Sequence, residues 1–328
     1  MLYTNYELVG VGSPIIDVLA RVPDSFLKTV GGDKGGMVLT DAASISDWMA
    51  KLPDSYVEAP GGSAGNTIFA AARMGLRTTF IGKTGNDAGG TYYREQLKAH
   101  GGGSTHFKDG NIPNGRCLSL ITPDGERTLR TDLGAAATLN PEEVNAADFA
   151  GCSHAHIEGY LLFNPELMLA VLKGAKEADC TVSLDLASFE VVNAAIADLP
   201  GLLEEYVDLV FANEEEAGAY CGGFKGMEAM AFELAKVCDL AVVKAGRQGA
   251  WMARDKKIHH SPAVPGIQAL DTTGAGDYWA AGFLAGWLRG KPIDICGKWG
   301  ARLGAEIVQV IGAELPEETW GKVLKDLG

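Results

Sequence analysis

Basic residues are scarce in this chain: 28 lysines and arginines stand against 42 aspartates and glutamates, a formal charge of −14 over 328 residues. So negative a surface repels phosphate backbones and anionic lipid headgroups, so neither nucleic acid nor a membrane is expected as a partner. Cysteine is sparse and scattered. The residues Cys117, Cys152, Cys180, Cys221, Cys238 and Cys296 form no Cys-x-x-Cys pair and no dense cluster, which leaves reduced thiols in a cytoplasm as the expectation. The chain opens Met1-Leu2-Tyr3-Thr4-Asn5-Tyr6-Glu7 with no basic stretch ahead of an apolar one, and no apolar run approaches membrane-spanning length, so a soluble cytoplasmic protein is expected. Repeats of 20–50 residues, low-complexity tracts and long linkers are also missing, which points to a single domain over residues 1–328. An anionic substrate would therefore need a local solution: backbone amides, a few placed basic side chains and a divalent cation.

What the chain does contain is 47% hydrophobic residues, enough for one large α/β domain. Its organising stretch is Asp271-Thr272-Thr273-Gly274-Ala275-Gly276-Asp277, followed by the apolar run from Tyr278 to Trp287. The glycines permit a sharp turn and the run behind them has the spacing of a buried helix. The free N–H groups of Gly274, Ala275 and Gly276 would then share one small space at the positive end of a helix, an anion hole. Asp277 on its rim could take the proton of an attacking hydroxyl during phosphoryl transfer. A glycine-rich helix start with Asp277 as an ordinary first-turn acid is the alternative.

Along the chain, Leu8-Val9-Gly10-Val11-Gly12 reads as a first buried strand. Asp17 follows among Ile15, Ile16, Val18 and Leu19, either an edge acid facing water or a binder of hydroxyls. Met37-Val38-Leu39-Thr40 reads as a return strand with a helix from Asp41 to about Leu52. Gly61-Gly62-Ser63-Ala64-Gly65-Asn66, with a small-residue helix from Thr67 to Met74, is either a platform for a substrate or a tightly packed helix. Two runs, one near 117–122 and one near 127–130, joined by Pro123-Asp124-Gly125-Glu126, predict a hairpin. With the strands near 15–22 and 36–40 it would form a small sheet lid from insertions at about 13–40 and 105–132, excluding water from the reaction. From Ala150 onward, strands near 156, 181–185, 207–211 and 240–243 alternate with helices, so a doubly wound, mostly parallel sheet flanked by helices is expected, with ligands at the carboxyl ends of its strands. Asn213 and Glu216 follow one strand, and Lys244, Gly246 and Gly249 another.

Several motifs are ruled out. Gly82-Lys83-Thr84 is no phosphate-binding P-loop, since Arg77 stands where that motif needs glycine, and Gly10-x-Gly12 lacks the third glycine of a dinucleotide site and meets Pro14. His154 with His156, and His259 with His260, lack the further ligands a metal site needs.

Gly61-Gly62-x-x-Gly65-Asn66, then Asn213-x-x-Glu216, then the 271–277 stretch, in that order, resemble the ribokinase-like (PfkB) family of sugar and nucleoside kinases over nearly the whole chain. The resemblance implies a ribokinase-like fold and an ATP-dependent kinase in which Asp277 is the base and Gly274, Ala275 and Gly276 form the anion hole. It further implies that Asn213 and Glu216 organise Mg²⁺ through water, that Lys244, Gly246 and Gly249 border ATP, and that Asp271 and Thr273 contribute to a monovalent cation site of the K⁺ type. Gly12-Ser13-x-x-x-Asp17, Glu126-Arg127-Thr128, Leu133-Gly134-Ala135-Ala136 and Glu158-Gly159-Tyr160-Leu161 are similar to the adenosine-kinase branch. On that likeness Asp17, Gly62 and Asn66 hold ribose hydroxyls, Arg127 clamps phosphate, and Cys117, Tyr160 and Phe189 line a base pocket. Ser13 stands where that branch usually has asparagine, which shortens or removes one substrate hydrogen bond and keeps a sugar kinase in view. The partner is then a small nucleoside or sugar, and the assembly a monomer or homodimer.

Overall fold

The computed structural model of the chain describes residues 5–327. Residues 1–4, which open the stretch expected to carry no leader, lie outside the described residues. Short apolar runs become the strands of an eight-stranded sheet whose order is Lys257–Ser261, Ala250–Arg254, Leu240–Lys244, Leu209–Asn213, Thr181–Asp185, His154–Glu158, Leu8–Val11 and Thr78–Ile81. From Leu240–Lys244 to Thr78–Ile81 all neighbours are parallel, while Ala250–Arg254 and Lys257–Ser261 extend the sheet antiparallel. Helices cover both faces, so inner strands are apolar on both sides: Val210 and Ala212 enter one core cluster, Leu209 and Phe211 the other. A doubly wound, mostly parallel α/β sheet is what the alternation of elements predicts. No helix among the described residues is long and apolar enough to cross a membrane.

The helix Ala275–Trp287 is buried over most of its length and stacks Trp279, Phe283 and Trp287 at four-residue intervals, with ring centroids 5.4 and 6.1 Å apart. It lies against Ile293–Ile307 at very close range: a Cβ on Gly282 would stand 2.5 Å from the Trp299 carbonyl oxygen. This packing fixes the helix axis, and with it the turn at its amino end.

A second, five-stranded sheet runs in the order Met37–Leu39, Arg127–Gly134, Asn114–Ile121, Ile16–Arg21, Tyr56–Pro60. Ile16, Val18, Ala20, Leu118 and Leu120 pack with Leu27, Val30 and Ile45 of the helices Asp24–Val30 and Ala42–Met49. Because a strand's side chains alternate, Asp17, Cys117, Ser119 and Arg127 fall on the opposite face, toward the main sheet. Asp41 caps its helix by accepting from the Ser44 N–H at 2.8 Å. Arg130, buried on the helix side, donates to the carbonyls of Gly36 at 3.1 Å and Leu129 at 2.8 Å, and also to that of Gly31, so it fastens the loop between the first helix and the edge strand.

Three features depart from the sequence expectation. The strand Tyr56–Pro60 adds to the small sheet from outside both expected insertions, and the antiparallel pair after Gly249 adds to the main one. The helix expected from Thr67 begins at Ser63, because small residues after Gly62 allow a helical start in close quarters. Ser63 and Asn66 therefore belong to its first turn.

Candidate functional site

Asp277 is the third residue of the helix Ala275–Trp287, whose amino cap is Gly274 in the left-handed region at φ 69°. Its carboxylate is held from across the cleft by the helix Ser63–Arg73: Ser63 Oγ donates to Oδ1 at 2.9 Å and Asn66 Nδ2 donates to Oδ2 at 2.8 Å. Thr67 Oγ1 donates to the Asp277 carbonyl at 3.2 Å. Desolvation, then the charge of Asp185, push its pKa up to about 6, against the pull of Asn66, Lys244 and Ser63. The expected anion hole needs one correction. The Ala275 N–H donates to the Thr272 carbonyl at 3.1 Å, closing the turn, so Gly274 and Gly276 are left to face an anion. Asn66 gives one N–H of its amide to Asp277, which leaves the second N–H and the side-chain oxygen for an acceptor.

On the side of the five-stranded sheet, Asp17 is buried rather than an edge acid in water, and sits opposite Cys117 in the register of Ile16–Arg21 with Asn114–Ile121. Burial raises its pKa to about 6; Arg127 pulls it down while Asp277 and Asp271 push it up, which places those charges around it. Arg127 does not stand free in this structure. Its guanidinium donates to Ser119 Oγ at 2.9 Å and 2.6 Å and to Asp271 at 3.2 Å and 3.4 Å. Asp271 also accepts from the Thr273 N–H at 2.9 Å, Thr273 Oγ1 at 2.7 Å and the Gly312 N–H at 2.8 Å. The five-stranded sheet and the turn before Ala275–Trp287 are thus joined by one ion pair. Ser13, between the strands Leu8–Val11 and Ile16–Arg21, gives its N–H to Glu158 at 2.8 Å, and Gly62 leaves room for the Ser13 carbonyl, which a Cβ would approach to 2.2 Å.

On the opposite side, Lys244 Nζ donates to Asp185 at 2.8 Å. Burial pushes Asp185 up, but the ammonium outweighs it and holds the carboxyl below the ordinary value. Burial lowers Lys244, and Asp185 and Glu216 more than restore it. Asn213 and Glu216 close a reciprocal cap, with Asn213 Nδ2 donating to Glu216 at 2.8 Å and the Glu216 N–H donating to Asn213 Oδ1 at 2.8 Å. Burial and Asp185 raise Glu216 to about 7. Gly246 and Gly249 bracket the next turn, Gly249 in front of the Ser261 carbonyl.

Cys117 is buried, its thiol pushed up to about 12 by burial and accepting from Thr131 Oγ1 at 3.2 Å. Tyr160 and Phe189 expose ring surface beside the strand ends; burial and the charges of Glu158, Asp277, Glu216 and Asp185 raise the Tyr160 hydroxyl, so it lies among them. His154 and His156 share Ser183 Oγ inside the sheet, both at 2.8 Å, and His259 pairs with Asp294 at 2.8 Å.

Two buried acids beside these residues were given no role from the sequence, Asp185 and Glu158, although Glu158 opens one of the stretches similar to the adenosine-kinase branch. Both end apolar strands at their carboxyl ends, the signal that could have found them.

The profile of the pfkB family carbohydrate kinases matches residues 34–320. An adenosine kinase of Saccharomyces cerevisiae is 27% identical over 332 residues, covering 95% of this chain and 97% of that one. Among solved structures, an adenosine kinase from Sinorhizobium meliloti is 31% identical with a TM-score of 0.87, covering 99% of this chain and all of that one (100%). A probable sugar kinase from Rhizobium etli is 30% identical, also with a TM-score of 0.87, covering 98% of each chain.

Proposed function

The chain belongs to the pfkB carbohydrate kinase family, and we propose from that membership that it transfers the γ-phosphate of ATP to a primary hydroxyl of a ribose-containing nucleoside, adenosine foremost, giving AMP. It is accordingly a phosphotransferase that acts on a hydroxyl group. The observation that carries the reading is the carboxylate of Asp277, held between Ser63 and Asn66 beside the Gly274 turn and beneath a lid bearing Asp17 and Arg127. The end-to-end likeness to adenosine kinases supports the nucleoside, as do the exposed aromatic residues Tyr160 and Phe189, which follow the carboxyl ends of two neighbouring sheet strands.

In this mechanism Asp17 and the side-chain oxygen of Asn66 hold ring hydroxyls. Asp277 receives the proton of the primary hydroxyl, and since its pKa is about 6 it is ionised at neutral pH yet more basic than a solvated carboxylate. The amides of Gly274 and Gly276 stabilise the moving phosphoryl group, and Arg127 reaches it by giving up part of its hold on Asp271. The transition state is loose, so positioning and charge stabilisation supply most of the rate. Lys244, Gly246 and Gly249 border the nucleotide.

Kinases of this family use ATP with a divalent metal. Asp185 and Glu216 stand around the single ammonium of Lys244 and carry more negative charge than it offsets. That excess fits Mg²⁺, which keeps its waters and rests on substrate phosphates. Asn213 and Glu216 would hold it through water, and when bound it would neutralise charge on the phosphate oxygens. A monovalent cation fits Asp271 and Thr273 less well, since Arg127, Thr273 and Gly312 already occupy that carboxylate.

A sugar acceptor is the second reading, favoured by Ser13 in place of asparagine and by the likeness to the probable sugar kinase. The deciding experiment measures ADP formation with Mg·ATP and adenosine, other nucleosides, ribose, fructose or fructose phosphates. A kcat/KM for adenosine orders of magnitude above the sugars supports the nucleoside; preference for a free sugar overturns it; no ADP with any acceptor overturns kinase activity itself.

A further inference from the structure

Glu158 ends the strand His154–Glu158 and is 1% exposed. It touches neither Asp17 nor Asp277 by hydrogen bond, yet its carboxylate joins the two segments that carry them to their places. Oε1 accepts from the Ser13 N–H at 2.8 Å, four residues before Asp17. Oε2 accepts from the Ala64 N–H at 3.3 Å, in the helix turn whose Ser63 and Asn66 grip Asp277. Space for this carboxylate is made by Gly12: a Cβ there would stand 2.2 Å from Glu158 Oε2. A buried carboxylate facing Asp277 is electrostatically costly, and burial raises its pKa to about 7. A group kept at such cost, with both oxygens spent on the backbone of two separate segments, has the form of an anchor.

We propose that Glu158 is a positioning residue that sets the separation between the acceptor-holding Asp17 and the base Asp277 by tying the Ser13 and Ala64 amides to the central sheet. This rests on the kinase reading above. It also gives position 13 a role through its backbone N–H, which serine supplies as well as asparagine would, so serine there keeps the geometry of the entry loop. A misplacement of reacting groups by about 1 Å costs on the order of 100-fold in rate; the nucleotide side, built on Lys244, Asn213 and Glu216, is untouched.

Two variants test it from opposite sides. Glu158→Gln keeps the shape but turns one amide acceptor into a donor that faces an N–H. Gly12→Ala keeps Glu158 and pushes its carboxylate aside. Both should lower kcat about 10- to 100-fold and raise the acceptor KM, with the ATP KM and ADP affinity within twofold of the parent. Using the acceptor that the parent phosphorylates best separates the two readings: an inactive parent defeats the kinase reading, whereas an active parent with normal variants defeats the anchor. Amide hydrogen exchange, which needs no acceptor, reads the anchor directly. Ser13 and Ala64 should exchange about tenfold or more faster in both variants while amides near Lys244 keep the parent rate. Unchanged protection at Ser13 and Ala64, or equal losses in acceptor and ATP parameters, would overturn the proposal.

Discussion

Replacing Asp277 with asparagine separates chemistry from architecture. Asparagine has the same outline, and its oxygen can still accept from one of the two donors that hold the carboxylate, Ser63 Oγ at 2.9 Å or Asn66 Nδ2 at 2.8 Å. The Ser63 hydroxyl can rotate to accept from the new amide. What disappears is the proton acceptor, and loss of a general base removes ~10²–10⁴ in rate, about 3–5 kcal/mol of barrier. Folding should respond in the opposite direction. An acid whose pKa rises from 3.8 to about 6 on folding keeps its proton where the unfolded chain has released it. Its contribution to stability is therefore lost as pH rises from the lower value to the higher, and is gone at neutrality. The ionised group then costs at most about 3 kcal/mol, less for its partial exposure. The Asp277→Asn variant should thus melt a few degrees above the parent at pH 7.5 while a coupled ADP assay shows kcat lowered at least 100-fold and ATP affinity by titration nearly unchanged. A folded variant with kcat within tenfold of the parent would refute the assignment of the base.

The acid limb of kcat/KM should fall near pH 6, because Asp17 and Asp277 each have a pKa raised to about 6 and both act ionised; its slope should approach two, and in Asp17→Asn it should drop to one with the acceptor KM raised about 10- to 100-fold. A single-proton limb in the parent would mean that one of the two does not matter. Lys244→Met strips Asp185 of its partner at 2.8 Å and should cost about 3–5 kcal/mol at pH 7 by urea unfolding, and visibly less at pH 5 where the carboxyl takes up a proton. Arg130→Met removes the donors to the carbonyls of Gly31, Gly36 and Leu129, so hydrogen exchange should accelerate first across residues 31–36 while main-sheet amides stay protected.

The parallel sheet was readable because burial on both faces forces near-continuous apolar strands, as in Leu209–Asn213 and Leu240–Lys244. The antiparallel extension was not. Lys257–Ser261 is the sheet's edge strand and mixes Lys257, His259 and His260 with Ile258, while in Ala250–Arg254 the buried Ala250, Met252 and Ala253 follow no strict alternation with Trp251 and Arg254. Tyr56–Pro60 was hidden for a related reason, as an edge strand with Tyr56 and Val57 exposed and proline at its end. In the site, glycine turns and first-turn acids were visible from spacing alone. The contacts of Asp277 with Ser63 and Asn66 join residues more than 200 apart in sequence, and no local pattern carries such a pairing. Asp185 and Glu158 lay in plain view as acids ending apolar strands, but only three-dimensional neighbours distinguish an anchor or ion-pair partner from a solvated strand end.

Part of the chain's excess of acidic residues is gathered at the site. Asp17, Glu158, Asp185, Glu216, Asp271 and Asp277 converge on one cleft in which Lys244 and Arg127 are the cations tied to them by ion pairs. An acceptor rich in hydroxyls gains from such a place, because carboxylates are strong hydrogen-bond acceptors and a neutral substrate suffers no repulsion. A nucleotide does suffer it, and the fold answers with groups that cannot be titrated: the glycine amides at the start of Ala275–Trp287 and the positive end of that helix. The cost is that the carboxylates repel one another, which adds to the larger effect of burial in raising the pKa values of Asp17, Glu158, Glu216 and Asp277. Binding of a divalent cation with the nucleotide should relieve that repulsion. The protein should accordingly gain more thermal stability from Mg·ADP than from ADP with a chelator, by an excess that shrinks in Glu216→Gln and grows from pH 6 to pH 8; equal stabilisation by the two ligands would show that the cluster does not sense the metal.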